Sequence, residues 1–264
     1  MSKPKTVQNE DTVALVDEKQ RVYLIDTRKS TEKFKGVGVF NPSSLIDQQY
    51  GSQKTIGSKS FFLLPVSIPD ALTGLKRKAQ IILPKDSAQI IIHCSITPGK
   101  TVLEAGVGSG SLTTVLASMV GETGNVISYD TRQDFIDHAK KNLTTSQLLN
   151  QVTLRLKDVT KGVSETDLDA VILDIPNPWA AIAHVWNALT PGGYLCTYSP
   201  LISQVEQSVE EIRKHPFINI KTIETIEREM IVGDRGTRPS FNMLGHTGYL
   251  TFARKIKEEK NDKK

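Results

Sequence analysis

The chain predicts an α/β fold: an open, mostly parallel, Rossmann-like sheet covered by helices on both faces, preceded by a small β domain. Three observations predict it. From about residue 84, short apolar runs alternate with segments of helical period. One of these runs leads into three alternating glycines, and those glycines open a helix. Runs such as Ala170-Val171-Ile172-Leu173 are apolar without interruption, as parallel strands buried on both faces must be.

Taken in order, residues 12–16 (Thr-Val-Ala-Leu-Val) and 21–25 (Arg-Val-Tyr-Leu-Ile) are β-rich. The polar turn Asp17-Glu18-Lys19-Gln20 joins them, which reads as a hairpin. Gly36, Gly38, Gly51 and Gly57 punctuate the next stretch, and residues 60–65 read as another strand. Short strands, frequent glycines and no long helical period set residues 1–73 apart as the small β domain. Pro84-Lys85-Asp86 then enters a short helix over 88–94. Strands are expected at 101–105, 126–130, 152–156, 170–174 and 193–198, with helices at 111–120, 133–143, 179–189 and 202–214 between them. Two further β stretches, 218–227 and 247–253, close a domain that spans 74–254. Residues 255–264 carry mixed charge and few apolar groups and read as the solvated end of the chain.

Bulk properties narrow the class. The 264 residues suffice for one large core and an accessory domain, and 38% hydrophobic with 23% charged residues is ordinary for a globular enzyme. No run of eighteen apolar residues exists, and Met1-Ser2-Lys3-Pro4-Lys5 has no apolar segment behind it, so a cytoplasmic location is expected. Cys94 and Cys196 lack Cys-x-x-Cys spacing and sit in apolar surroundings, where buried reduced thiols are expected. A net charge of +4 permits a nucleic-acid partner without demanding one. If RNA is gripped, Lys76, Arg77, Lys78, Arg235 and Arg238 are the cations to examine.

Chemistry concentrates at the strand ends, where open α/β sheets bind ligands. The stretch Val102-Leu103-Glu104-Ala105-Gly106-Val107-Gly108-Ser109-Gly110-Ser111-Leu112-Thr113 is a strand–turn–helix corner. Its glycines let backbone approach a ligand, and its helix N-terminus favours an anion. The dinucleotide pattern G-x-G-x-x-G would need glycine at Ser111 or Thr113; the pattern present is Glu-x-Gly-x-Gly-x-Gly, the form used by S-adenosylmethionine (AdoMet) methyltransferases. Asp130 follows Gly110 by twenty residues, where an acid meets ribose hydroxyls. Asp158 ends the third strand, placed to accept from an adenine amino group, and Asp174 ends the fourth. Each of these acids, with Glu104, is singly at home as a helix cap; four at successive strand ends point to a site. Asp174-Ile175-Pro176-Asn177-Pro178-Trp179 is either a loop that stacks a planar base on Trp179 or a rigid βα turn with the indole packed on the core.

These segments resemble the tRNA adenine-N1 methyltransferase family that modifies the T-loop of tRNA, in its bacterial and archaeal single-gene form. The resemblance runs over nearly the whole length. Gln80-Ile81-Ile82-Leu83-Pro84-Lys85-Asp86 is similar to the family's Thr-Gln-(two apolar)-Tyr-Pro-Lys-Asp, and Ser128-Tyr129-Asp130-Thr131-Arg132 to its Ser-Tyr-Glu-x-Arg. Asp174 to Trp179 resembles Asp-x-Pro-x-Pro-Trp. Arg238-Pro239-Ser240-Phe241-Asn242-Met243-Leu244-Gly245-His246-Thr247-Gly248-Tyr249-Leu250 resembles a closing block ending in Gly-His-Thr-Gly-Phe-Leu. The chain departs at Ala79 and Leu83 (for Thr and Tyr), at the shorter acid Asp130, and at Phe241, where a His is expected; the last puts any imidazole role at that position in doubt.

The resemblance implies a seven-stranded class I methyltransferase sheet, AdoMet as methyl donor, no metal, tRNA as substrate and a homotetramer. It implies cofactor contacts at Gln80, at Gly106, Gly108, Ser109, Gly110, Ser111 and Leu112 of the glycine corner, at Asp130, Arg132 and Phe135 beyond the second strand, and at Asp158 and Asp174. Asp174 is the expected catalytic residue. His246 matches the family, though a lone histidine before a strand is often a packed polar group. Three rival readings stand beside this one: amino-group methylation of adenine, suggested by Asn177-Pro178-Trp179; a non-catalytic RNA-binding subunit; and a small-molecule methyltransferase.

Overall fold

The structure, a computed structural model, describes residues 5–34 and 38–258; Gly36 and most of the expected charged tail lie outside them. The small β domain contains β1 (Thr12–Asp17), β2 (Val22–Asp26), β3 (Glu32–Phe34), β4 (Gly38–Phe40), β5 (Gln53–Ile56) and β6 (Lys59–Pro65). Four of these form an antiparallel sheet in the order β2-β1-β6-β5. The expected hairpin is β1–β2, with Val13 opposite Ile25. Val13, Leu15, Ile25, Phe61 and Leu63 are buried together as the core of this sheet. A short helix that the sequence pattern does not predict, α1 (Ile68–Gly74), leaves the domain. Ser67 and Asp70 cap it reciprocally, satisfying two amides that the helix itself cannot bond.

The larger domain begins with α2 (Pro84–His93) and continues as β7 (Thr101–Ala105), α3 (Ser111–Val120), β8 (Asn125–Asp130), α4 (Gln133–Thr145), β9 (Val152–Leu156) and β10 (Leu168–Leu173). After these come α5 (Ile182–Ala188), β11 (Leu189–Ser199), α6 (Ile202–Ile212), β12 (Phe217–Glu224), β13 (Met230–Gly233), β14 (Gly236–Pro239) and β15 (Tyr249–Lys255). Seven strands form one sheet in the order β12-β15-β11-β10-β7-β8-β9. Neighbours from β11 through β9 run parallel, and β15 is antiparallel to both β11 and β12. Alternate residues of β7 feed two cores: Val102 joins the side chains of α2, α3 and α4 on one face, Leu103 and Ala105 those of α5 and α6 on the other. Winding reverses between β7 and β10, which opens a crevice at their carboxyl ends.

Several segments differ from the sequence-based expectation: the helix expected over 88–94 runs Pro84–His93, and the strand expected over 247–253 runs Tyr249–Lys255. The helix expected over 179–189 is a 3-10 turn, Pro178–Ala181, followed by α5; Leu189 already pairs with Leu168 as the start of β11. Thr190-Pro191-Gly192-Gly193 reads as a turn in isolation, yet it lies inside β11, where the ladder shifts register. The strand expected over 218–227 ends at Glu224, and the hairpin β13–β14 comes after it. At its far end Lys255 belongs to β15: its buried ammonium donates to the Leu189 carbonyl and lies over the Trp186 ring.

Candidate active site

A pocket of about 560 Å³ opens at the carboxyl ends of β7, β8, β9 and β10. Its tightest point is Gly106, at φ +91°, where a Cβ would stand 2.0 Å from the carbonyl oxygen of Asp174. No side chain fits there, so the glycine corner of β7 lies directly against the loop leaving β10. Asp174 N donates to Ala105 O at 2.8 Å, and the amides of Gly106 and Val107 both donate to Tyr129 O, binding the ends of β7, β8 and β10 together. Gly108, also in the left-handed region, has nothing within 4 Å of where a Cβ would be, so its backbone is open to an approaching ligand.

The acids at the strand ends divide into different roles. Asp130 accepts from the amide of Gly108 at 3.3 Å and from that of Arg132 at 3.0 Å, fixing the glycine loop to the end of β8. Asp158 accepts from the amide and hydroxyl of Thr160 through one oxygen, and these bonds hold its carboxyl below the usual carboxylate range. It is therefore a turn cap and a pocket wall at once. Asp174 differs from both. Its carboxylate has no hydrogen-bond or ion-pair partner among the described residues, and burial pushes its pKa up to about 7. Glu104 turns away from the pocket into the sheet, where one oxygen accepts from Thr113 and Ser128 at 2.6 Å each. Burial outweighs those two bonds and raises its pKa to about 8.

Of the expected cofactor contacts, Gln80, Gly106, Gly108, Asp130, Arg132, Asp158 and Asp174 line the pocket. The others stand outside its lining. Ser109 is buried, with its hydroxyl accepting from the amides of Lys78 and Ala79, so it anchors the linker ahead of α2. Gly110 caps α3 against Ala139, and Leu112 lies in the core on that face of the sheet. Ser111 is buried in the first turn of α3 with its hydroxyl unpaired. Phe135 packs under the guanidinium of Arg132, 3.5 Å from ring centre to carbon, and so shapes the wall from behind. Trp179 packs against the core beside α5 and α6, the rigid-turn alternative. Tyr129, Lys157 and Asn177 also line the pocket; their position beside the strand-end acids was the available signal.

Two motifs distant in sequence meet away from the pocket. Buried Lys85 and Asp86 form an ion pair at 2.8 Å, and Thr247 donates to Asp86 at 2.8 Å while Lys85 also donates to Thr225 O. Tyr198 donates to the carbonyl of Thr247 at 2.7 Å. His246 has Nδ1 at 2.6 Å from Glu224 and Nε2 at 2.8 Å from Pro200 O. Both partners are acceptors, so the doubly protonated ring is favoured, and the Glu224 carboxylate raises its pKa. Gln204 completes the chain of contacts, bonding Leu201 N and Pro176 O, and so ties α6 to the loop after Asp174.

A family profile described as the tRNA methyltransferase complex GCD14 subunit matches residues 67–236. The chain is 35% identical to the tRNA (adenine(57)-N(1)/adenine(58)-N(1))-methyltransferase TrmI of Methanocaldococcus jannaschii, covering 91% of this chain and 93% of that one. It belongs to this family. A second relative, the tRNA (adenine(58)-N(1))-methyltransferase TrmI of Thermus thermophilus, is 31% identical over 92% of this chain and 96% of its own. Among solved structures, TrmI of Aquifex aeolicus superposes with a TM-score of 0.76 at 26% identity, over 96% of this chain and all of that one. A SAM-dependent O-methyltransferase of Thermotoga maritima superposes with a TM-score of 0.83 at 32% identity, covering 96% of each chain. The α/β methyltransferase fold read from the strand order is thus shared with family members along nearly the entire chain.

Proposed function

We propose that the chain is a tRNA (adenine-N1)-methyltransferase that uses AdoMet to methylate T-loop adenosine. The observation that carries this reading is the unpaired Asp174 carboxylate beside Gly106, at the switch point of a family methyltransferase sheet. The pocket suits AdoMet in its donors and acceptors. The open backbone at Gly108 admits close approach, Asp130 and Asp158 offer acceptors for ribose and adenine, and Gln80 and Arg132 edge the same cavity. AdoMet when bound supplies an electrophilic methyl group on a sulfonium.

The chain's own residues then have limited chemistry to perform. Neutral adenine already carries a lone pair at N1, so the protein need not create a nucleophile; it has to hold the base in line and exclude water. As N1 forms its bond, positive charge spreads onto N6. Asp174, half-buried and unpaired, stabilises that charge and can take the N6 proton afterwards. A pKa near 7 suits both roles, because the carboxylate is available at neutral pH and basic enough to accept. The target base is stacked within the T-loop, so the tRNA must open locally to present it.

The wider assignments rest on the same reading. Residues 1–73 serve as an accessory β domain and 74–254 as the catalytic domain. Among the described residues no helix is long and apolar enough to cross a membrane, which suits a cytoplasmic tRNA enzyme. The β13–β14 hairpin and the segment after it expose Val232 (78%), Phe241 (87%) and Leu244 (59%), and covering them with further copies of the chain suits a homotetramer.

The likeness to an O-methyltransferase favours one second reading, transfer to a hydroxyl, for which Asp174 would act as base. Nucleoside mass spectrometry of an unmodified tRNA transcript treated with protein and AdoMet separates the two. N1-methyladenosine at position 58, or at 57 and 58, is expected; a methylated ribose, or methylation of small hydroxyl compounds alone, would overturn the proposal.

A further inference from the structure

We propose that the cleft between the small β domain and α4 is a second RNA site, which holds the phosphodiester backbone of the tRNA while the target base enters the pocket at the strand ends. The inference rests on the tRNA reading above and adds where the polyanion lies. The cleft has a volume of about 390 Å³ and is walled by β2, by the end of α1 and the linker Leu75–Lys76, and by α4. Lys29, Lys33, Lys76 and Lys141 line it, against a single carboxylate, Glu32. Lys29 occupies that carboxylate at 2.7 Å. The other three lysines have no ion pair among the described residues, so the cleft presents one sign of charge, and a concave wall focuses it.

The lysine at the centre is held from its root. The amide of Lys76 donates to Asn142 Oδ1 at 3.3 Å, its carbonyl accepts from Asn142 Nδ2 at 3.1 Å, and the His138 ring bonds the same carbonyl. Two side chains of α4 thus fix the backbone from which the amine extends, which lowers the entropy lost on engaging a phosphate. The floor is closed by tight docking of the end of α1 on β2: a Cβ at Gly74 would stand 2.6 Å from Leu24 Cδ1.

Position decides what the anion is. Lys76 continues through Arg77 and Lys78 to Ala79 and Gln80, and the last two line the methyl-transfer pocket. Four residues of extended chain span at most about 14 Å. A strand of RNA with one nucleotide in the pocket therefore brings its neighbouring phosphates to the cleft. Of the cations expected from the sequence, Lys76 is in this cleft; Arg77 is exposed but lines neither cavity, Lys78 is taken by Asp134, and Arg235 and Arg238 stand on the β13–β14 hairpin, outside the cleft lining.

The test is anisotropy of a labelled unmodified tRNA transcript bound by the full chain over a range of salt, with AdoMet affinity measured by calorimetry. The triple variant Lys33→Ala/Lys76→Ala/Lys141→Ala should bind tRNA roughly ten-fold more weakly near physiological salt and lose about 2 from the slope of log K against log salt. The pair Lys33→Ala/Lys141→Ala, which leaves the linker intact, should show the same change in smaller measure. AdoMet affinity should hold in both, and Lys59→Ala, at the β5–β6 turn outside the cleft lining, should leave tRNA affinity alone. Wild-type protein that binds tRNA with an unchanged slope in the triple variant overturns the cleft and leaves the proposed function standing; the cleft would then suit another occupant, such as a peptide strand added to β2. Wild-type protein that binds no tRNA at any salt overturns both.

Discussion

Asp174 and Glu104 behave oppositely although burial raises the pKa of both, and the difference is what surrounds them. Asp174 opens on the pocket with no partner among the described residues, so its carboxylate gains whenever positive charge arrives beside it. Asp174→Ala should lower the single-turnover rate by roughly 10²–10³, as when one transition-state electrostatic partner is lost. Affinity for AdoMet and tRNA should change far less, because the interaction strengthens only as charge develops. In the wild type kcat/KM should rise with pH through about 7 as Asp174 ionises; a variant that keeps its rate at saturating AdoMet but binds it poorly would show Asp174 to be a cofactor ligand instead. Glu104 has no such outlet. Its ordinary pKa of 4.5 rises to about 8 in the fold, so between those values the unfolded chain has released a proton that the folded chain retains. The stability Glu104 contributes is therefore fully present below about 4.5 and is lost as pH rises through about 8. Glu104→Gln mimics the protonated form. Urea titrations from about pH 5 to 8 should show wild-type stability falling, relative to this variant, by about 1.4 kcal/mol per pH unit; parallel curves would mean that Glu104 is ionised in the fold.

Among the elements, α2 is tied to the segment entering β15 by side-chain contacts from far along the chain, through the Lys85–Asp86–Thr247 cluster. Asp86 is fully buried, so Asp86→Ala strands the ammonium of Lys85 in the interior and should cost about 3–5 kcal/mol of unfolding free energy. Lys85→Met/Asp86→Leu removes both charges and should recover most of that loss, since desolvation of the pair cancels much of its attraction. Denaturant midpoints of the three proteins decide it; a double variant as unstable as the single would place the cost in packing around Thr247. The same segments show what the sequence made legible. Periodicity was enough for β7, α3 and β9, whose bounds agree with the expected ones, because each is bordered by a glycine, a proline or a polar turn. The strand-end rule found Asp130, Asp158 and Asp174 for the pocket. It could not separate wall from scaffold, because Ser109, Ser111, Leu112 and Phe135 share the glycine corner's neighbourhood while their side chains turn inward to pack. Lys85, Asp86 and Thr247 were visible only as motifs; that they bond one another depends on a contact across 161 residues, which no local pattern carries. The hairpin β13–β14 is illegible in the sequence for a different reason. Nearly all its residues are exposed, so it has no alternation of buried and exposed positions to betray a strand.

That exposure becomes a property of the whole molecule. β13 and β14 pair only with each other and stand apart from the seven-stranded sheet, so among the described residues Val232 is largely uncovered and Met230 and Ile231 are only partly covered. The next segment adds Phe241, Met243 and Leu244, with Arg238 lying over the Phe241 ring at 4.3 Å. An apolar group of this kind on a two-stranded arm is unstable as a free surface, because an isolated hairpin is marginal in water and exposed apolar area favours association. A second copy of the chain presenting the same arm satisfies both demands and closes as a two-fold dimer, and two such dimers joined through a second contact give the proposed tetramer. Phe241, where the resemblance leads one to expect a histidine, is 87% exposed in the segment after the arm, where its ring would extend the proposed apolar contact. Val232→Asp/Phe241→Asp places two carboxylates in that contact while leaving the pocket and both cores untouched. Sedimentation velocity should show wild-type protein as a tetramer and the variant as a smaller species with an unchanged circular-dichroism spectrum. Salt should not restore the assembly, since desolvating the new charges, more than their mutual repulsion, opposes it. A variant that sediments with the wild type would mean that the arm faces something other than its own copy, and a wild-type monomer would remove the hairpin from any role in assembly.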